Sequence, residues 1–120
     1  MSNTVKVDLG KDSYNIILSD NFVESIEGFS RASSSKCILI TQEVIYKAFE
    51  DKFAALESLP NLEFHFIGQG EEAKSIKTAM EICEKMAIMQ YDRSSTIFAV
   101  GGGVVGDIAG FVASIFMRGI

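Results

Sequence analysis

Val5, Val7 and Leu9 alternate with Lys6 and Asp8, and the apolar run 14–18 follows after Gly10-Lys11-Asp12-Ser13. Period-two alternation on either side of turn-forming residues predicts an antiparallel hairpin. Phe22, Val23, Ile26 and Phe29 then recur at helical spacing behind Ser19-Asp20-Asn21, which offers N-cap side chains. They predict a short helix, and the serine-rich 30–35 segment predicts a loop. From Lys36 onward, short and nearly all-apolar stretches at 37–40, 64–67 and 96–100 alternate with longer stretches at 44–56, 73–89 and 107–117. Such strands need cover on both faces. The expected fold class is therefore α/β: a Rossmann-like, mostly parallel sheet flanked by helices, with an N-terminal β-hairpin.

Two of the helices differ in kind. The one expected from Ala73 carries Ile76, Ala79, Met80, Cys83, Met86 and Ala87 on one side and Glu81, Glu84 and Lys85 largely on the other, so it should lie on a sheet surface. The last one, with Ile108, Phe111, Val112, Ile115, Phe116 and Met117, has no charged face before Arg118. A helix apolar all round calls for cover from further chain or a second molecule.

Composition narrows the class. The chain has 120 residues, 48% hydrophobic and 22% charged, with one Pro, which suits one soluble, folded domain. Its net charge of −5 comes without any basic stripe, so nucleic acid is not an expected partner. Cys37 and Cys83 sit in apolar stretches with no C-x-x-C and read as core thiols of a reducing compartment. No basic-then-apolar signal opens the chain, and the apolar stretch 108–117 is about half of what a membrane span needs. No membrane partner and a cytoplasmic location are the expectations.

The candidate chemistry lies where strand 96–100 runs into Gly101-Gly102-Gly103-Val104-Val105-Gly106-Asp107 and a helix. This satisfies G-x-G-x-x-G in its proper strand-to-helix context. Glycines let backbone amides approach a phosphate, and a helix N-terminus adds partial positive charge and unpaired donors. The competing reading is a plain tight turn, with Gly106, Gly110 and Ala113 letting the helix pack close to the sheet. The motif follows the third strand of the alternating region rather than the first, and no Lys-Ser or Lys-Thr follows the glycines, which excludes a Walker A loop.

Gly68-Gln69-Gly70-Glu71-Glu72-Ala73-Lys74-Ser75 also connects a strand to a helix, so both loops should face one crevice at the same sheet edge. Glu71 and Glu72 would contact ribose hydroxyls and Lys74 a phosphate, or they merely complement a helix dipole. Thr41-Gln42-Glu43, at the same edge, would touch an adenine or ribose or else cap the helix that follows, the cap being the expectation, and Asp107 is expected to cap the last helix. His65, between Phe64 and Phe66 in a strand, reads as structural. Arg118, a lone guanidinium after a largely apolar run, suits bidentate recognition of phosphate or carboxylate.

The segment 101–120, GGGVVGDIAGFVASIFMRGI, closely resembles the glycine-rich segment of 3-dehydroquinate synthases, and Gly70-Glu71-Glu72-Ala73-Lys74-Ser75 resembles their upstream nucleotide-binding segment. The resemblance covers nearly the whole chain. It implies that residues 1–120 form an N-terminal nucleotide-binding domain of an enzyme, a phosphate lyase. That enzyme converts the sugar acid phosphate DAHP (3-deoxy-D-arabino-heptulosonate 7-phosphate) into 3-dehydroquinate and phosphate in the shikimate pathway of aromatic amino acid biosynthesis. It further implies a tightly held NAD, a divalent zinc or cobalt ion, and a homodimer at full length. Carried over by position, Gln69, Gly70, Glu71, Glu72, Ala73 and Lys74, with Gly103, Val104, Val105, Gly106 and Asp107, would hold NAD, and Arg118 would lie by the substrate phosphate. Catalytic and metal-ligating residues are expected in an α-helical C-terminal domain outside these residues, so the 120-residue chain alone is expected to be inactive. Gln42, Gln69 and Ala73 depart from the family's usual residues. Alternatives are another sugar phosphate cyclase, making a deoxy-inosose or valiolone ring, and a noncatalytic nucleotide-binding remnant.

Overall fold

A computed structural model describes residues 3–120. Strands β1 (Asn3–Val7) and β2 (Tyr14–Leu18) pair antiparallel, with Asn3 opposite Leu18 and Val7 opposite Tyr14. The expected hairpin is present, but β1 stops at Val7 rather than Leu9. The Leu9 amide is taken by Ser13 Oγ at 2.9 Å and Gly10 N by Asp8 Oδ1 at 3.2 Å, which winds the connection into a 3-10 turn over Gly10–Asp12.

Helix α1 spans Phe22–Ala32 and runs through Ser30, where the sequence suggested a loop. The reason is a distant partner. Ser30 is fully buried, and its hydroxyl donates to Asn61 Oδ1 at 2.9 Å, while Asn61 Nδ2 donates to the carbonyls of Ser30 (2.9 Å) and Ser35 (3.0 Å). The amide thus satisfies a serine and the end of α1 together.

The remainder runs β3 (Cys37–Gln42), α2 (Glu43–Ala48), α3 (Glu50–Glu57), β4 (Leu62–Ile67), α4 (Ile76–Ile88), β5 (Thr96–Ala99) and α5 (Gly103–Ile115), ending in a 3-10 turn at Phe116–Arg118. The single helix expected over 44–56 is two, broken at Phe49 (φ −126°, ψ 32°). A straight helix would set Tyr46 and Phe53 about 10 Å apart along its axis. The break lets their rings stack at 5.3 Å.

The parallel sheet has the order β4-β3-β5. Alternate residues of β3 serve opposite faces, and Cys37 to Thr41 are fully buried. Cys37 and Leu39 join Val23, Ile26, Phe53, Leu56, Leu59 and Leu62 on the face covered by α1 and α3. Ile38 and Ile40 join Ala79, Ile82, Met86, Val105, Ile108 and Val112 on the face covered by α4 and α5. Cys37 is a buried free thiol and Cys83 a half-buried one, and burial raises the pKa of both.

Three expectations about the helices need correction. The buried side of α4 is Ala79, Ile82 and Met86, whereas Ile76 and Met80 are 67% and 45% exposed. Helix α5 starts four residues before Asp107, and its buried side is Val105, Ile108, Ala109 and Val112. Gly106 and Gly110 are on its open side, where an added Cβ would meet nothing within 4 Å, so it is Ala109 and not those glycines that sits against the core. Phe111 and Ile115 are each 41% exposed.

Asn61→Ala removes the carboxamide to which the buried Ser30 hydroxyl donates. It should destabilise the chain by about 2–3 kcal/mol, since a lost hydrogen bond and an unsatisfied buried group act together. Chemical denaturation of the two proteins checks this.

Candidate functional site at the carboxyl edge of the sheet

Ile40 lies opposite Ala99, and Gln42 opposite Ile67, so the loops that leave β3, β4 and β5 emerge level at one edge. The chain moves from β3 to β4 on one side and then crosses to β5 on the other. In open α/β sheets, the carboxyl edge at such a reversal is where ligands bind.

The glycine turn is fixed from beneath. Val100 N donates to Ile40 O at 3.0 Å, and the fully buried Thr41 donates through Oγ1 to Val100 O at 2.6 Å. Gly101 is then pressed against the first turn of α5. A Cβ there would lie 2.6 Å from Val105 Cγ2, 2.9 Å from Val105 Cβ and 3.0 Å from Ile45 Cδ1. Gly102 and Gly103, by contrast, face open space. Gly102 is the N-cap of α5 and has no side chain to occupy the first-turn amides, which leaves those donors and the positive end of the helix dipole for an anion.

The second loop is held at both ends. Gln42 Nε2 donates to Gly68 O at 2.9 Å, so its side chain braces the β4 loop instead of capping α2, where no side-chain cap bond exists. At the other end Ser75, not Ala73, begins α4, accepting from Thr78 N at 3.2 Å. Between them Gly70 takes φ 75° and Glu71–Ala73 form a 3-10 turn. Ala73 is buried, as is Val105 in α5, so both present only main chain to a ligand.

Lys74 joins the two loops. Its Nζ lies 2.7 Å from Asp107 Oδ2 and 3.7 Å from Glu71 Oε2, and the hydrogen bond to Asp107 leads the influences that raise its pKa. Asp107 therefore does not cap α5, as the sequence suggested: the helix has already begun at Gly103, and the carboxylate serves the lysine. Gln69, Gly70, Glu71, Glu72 and Lys74 and the start of α5 thus line one edge. Arg118 does not join them. At 1.5 Å per residue, the 13-residue α5 holds it about 20 Å from the glycine turn, too far to share one phosphate within the chain.

His65 is half-buried beside Lys85 Nζ (3.5 Å), and burial followed by that positive charge lowers its pKa. Among the described residues no group of three or more His, Cys, Asp or Glu side chains is arranged to hold a metal ion. Sequence reasoning missed the bracing roles of Thr41 and Gln42. Their only signal was position, immediately after an all-apolar strand.

Residues 64–120 match the family model described as 3-dehydroquinate synthase N-terminal. Over that stretch, a little under half of its length, the chain is similar to the 3-dehydroquinate synthase family. The 3-dehydroquinate synthase of Clostridium tetani (strain Massachusetts / E88) is 35% identical over 114 residues, covering 92% of this chain and 31% of the relative. That of Pelotomaculum thermopropionicum (strain DSM 13744 / JCM 10971 / SI) is 38% identical over 123 residues, covering 98% and 33%. The chain thus spans about a third of the length of those relatives. A 2-deoxy-scyllo-inosose synthase complexed with carbaglucose-6-phosphate, NAD+ and Co2+ superposes with a TM-score of 0.80 at 23% identity, covering 98% of this chain and 33% of that one, a likeness of fold. The 2-epi-5-epi-valiolone synthase ValA of Streptomyces hygroscopicus subsp. jinggangensis 5008, with NAD+ and Zn2+ bound, gives a TM-score of 0.70 at 26% identity, covering 94% and 32%.

The two kinds of glycine in the turn should behave differently. Gly101→Ala should destabilise the fold by roughly 1–3 kcal/mol through overpacking against Val105 and Ile45. Gly103→Ala should leave thermal stability nearly unchanged, because its Cβ meets nothing. A melting curve for each variant decides.

Proposed function

We propose that residues 1–120 are the nucleotide-binding domain of a 3-dehydroquinate synthase, and that the carboxyl edge of the sheet holds NAD. The observation that carries this reading is the meeting of Lys74 and Asp107 beside an uncapped, glycine-led helix N-terminus at the topological reversal. The family similarity and the NAD+ in both solved neighbours support it.

In this reading the first-turn amides of α5 from Gly103 to Val105 receive the pyrophosphate, with Lys74 adding a mobile positive charge. The main chain of Gln69 to Ala73 and the carboxylates of Glu71 and Glu72 approach a ribose, whose hydroxyls donate to them. NAD held there would supply a hydride acceptor and donor for a substrate alcohol. The sugar phosphate cyclase chemistry of the whole enzyme is the conversion of DAHP to 3-dehydroquinate and phosphate, in the cytoplasm. Arg118 is proposed to take a substrate phosphate at a place separate from the NAD phosphates.

A divalent ion accompanies NAD in both neighbours, as Co2+ in one and Zn2+ in the other. The described residues of this chain do not fit such an ion, since their only His is in β4 beside a lysine. No step is therefore assigned to it here. By this proposal the metal ligands belong to a C-terminal domain, and residues 1–120 alone bind cofactor without turning over substrate. A second reading, a deoxy-inosose or valiolone cyclase, is favoured by the identity of the two neighbours.

Calorimetric titration of the chain with NAD tests the site. Saturable one-to-one binding is expected, weakened about tenfold or more in Lys74→Ala, the scale of one charge-assisted hydrogen bond. Absence of saturable binding, or a Lys74→Ala variant that binds as the parent does, would count against the proposal.

A further inference from the structure

Strand β4 is an edge of the sheet: β3 pairs with it on one side, and among the described residues no strand pairs with it on the other. The ladder decides which of its main-chain groups are free. Cys37 lies opposite Leu62, and Cys37 N donates to Asn61 O at 2.7 Å, so the alternation of a parallel ladder turns the amides and carbonyls of Glu63, His65 and Ile67 toward β3. Those of Leu62, Phe64 and Phe66 turn outward. Leu62 N is taken up by Leu59 O at 3.4 Å. The outward carbonyl of Phe64 is covered from α4, where Lys85 Nζ donates to it at 3.3 Å and lies 3.5 Å from His65 Nδ1.

An open strand edge is a template for another strand, and a lysine laid over it acts as a guard. The run Leu62-Glu63-Phe64-His65-Phe66 suits one partner in particular, itself turned around. An antiparallel copy centred on Phe64 would exchange N–H···O bonds between the Phe64 residues and set each Phe66 amide against the Leu62 carbonyl of the other copy. The same register puts Glu63 of each copy opposite His65 of the other, at the closer, non-hydrogen-bonded pairs. A carboxylate there favours an imidazolium.

His65 is faced by Lys85 and Glu81 of α4, by Glu63 on its own strand and by the apolar Ile40 opposite it on β3. In the single chain, burial and then the Lys85 charge lower its pKa, which keeps it neutral. Its protonation would place a second cation beside Lys85 and drive the lysine off the Phe64 carbonyl.

From this geometry we infer that the free edge of β4 is a pairing surface for a second copy of this chain, guarded by Lys85 and opened by protonation of His65. The inference is independent of the NAD reading, because the proposed cofactor contacts begin beyond the end of β4.

Sedimentation equilibrium of the chain at about pH 8 and about pH 6, on either side of the ordinary histidine pKa, measures the pairing. The dimer should tighten by about two- to thirtyfold at the lower pH, the scale of two cross-strand charge pairs, with circular dichroism reporting the fold at each pH. Lys85→Met should strengthen the dimer several-fold at about pH 8, and His65→Gln should remove the pH dependence. Phe66→Pro, whose lost amide faces away from β3, should abolish pairing and leave the ladder to β3 intact.

Amide hydrogen exchange in the unaltered chain gives a readout that no folding defect of a variant can blur. Protection of the Phe64 and Phe66 amides should rise with protein concentration at about pH 6, while those of Glu63 and His65 are protected throughout. A chain that stays monomeric at about pH 6 even as Lys85→Met, or a dimer whose Phe64 and Phe66 amides exchange as in the monomer, overturns the inference.

Discussion

The arrangement depends on β3, the strand with a parallel partner on each side and with Cys37 to Thr41 fully buried. Four consecutive apolar residues, Cys37 to Ile40, divide alternately between the two cores. That burial fixes the register of both neighbours, because a slip of one residue would turn each core residue to the wrong face. With the register fixed, three loops must leave at one height. The strand then hands its last buried residue, Thr41, to the carbonyl of Val100, which sets the level of the glycine turn.

Two physical demands meet at that turn. The chain has to pass from strand to helix with almost no room, which Gly101 answers by having no Cβ beside Val105 and Ile45. The helix has to begin with its amides unclaimed, which Gly102 answers by having no side chain to cap them. The same residue type solves a steric problem at one position and an electrostatic one at the next. A run of three glycines is therefore more than a flexible joint: one glycine is fixed by packing and the next two are left open to solvent.

The order of elements and the identity of both loops were legible in the sequence, since all-apolar strands such as Cys37 to Ile40 and helical spacing of Ala79, Met86 and their neighbours are local patterns. What was not legible depends on contacts distant in the chain. Ser30 reads as a loop residue until Asn61, 31 positions away, is placed against it. Asp107 reads as a helix cap until Lys74 arrives from another loop. Gln42 reads as the cap of α2 until the β4 loop supplies Gly68 O as its partner. The break at Phe49 follows from aromatic packing between two helices and the sheet, for which the sequence offers no glycine or proline as a sign.

The two ends of α5 show why anion recognition in this region needs different residues at different places. Its N-terminus carries partial positive charge and free donors, so uncharged glycines are sufficient to attract a phosphate there. Its C-terminus carries partial negative charge, which repels a phosphate, so the proposed substrate contact at that end calls for a full and permanent positive charge. Arg118 has that charge, and the left-handed backbone at Met117 (φ 48°) and Arg118 (φ 67°) ends the helical path just before and at it. In the proposed reading, a helix about 20 Å long would keep a cofactor phosphate and a substrate phosphate from competing for one site.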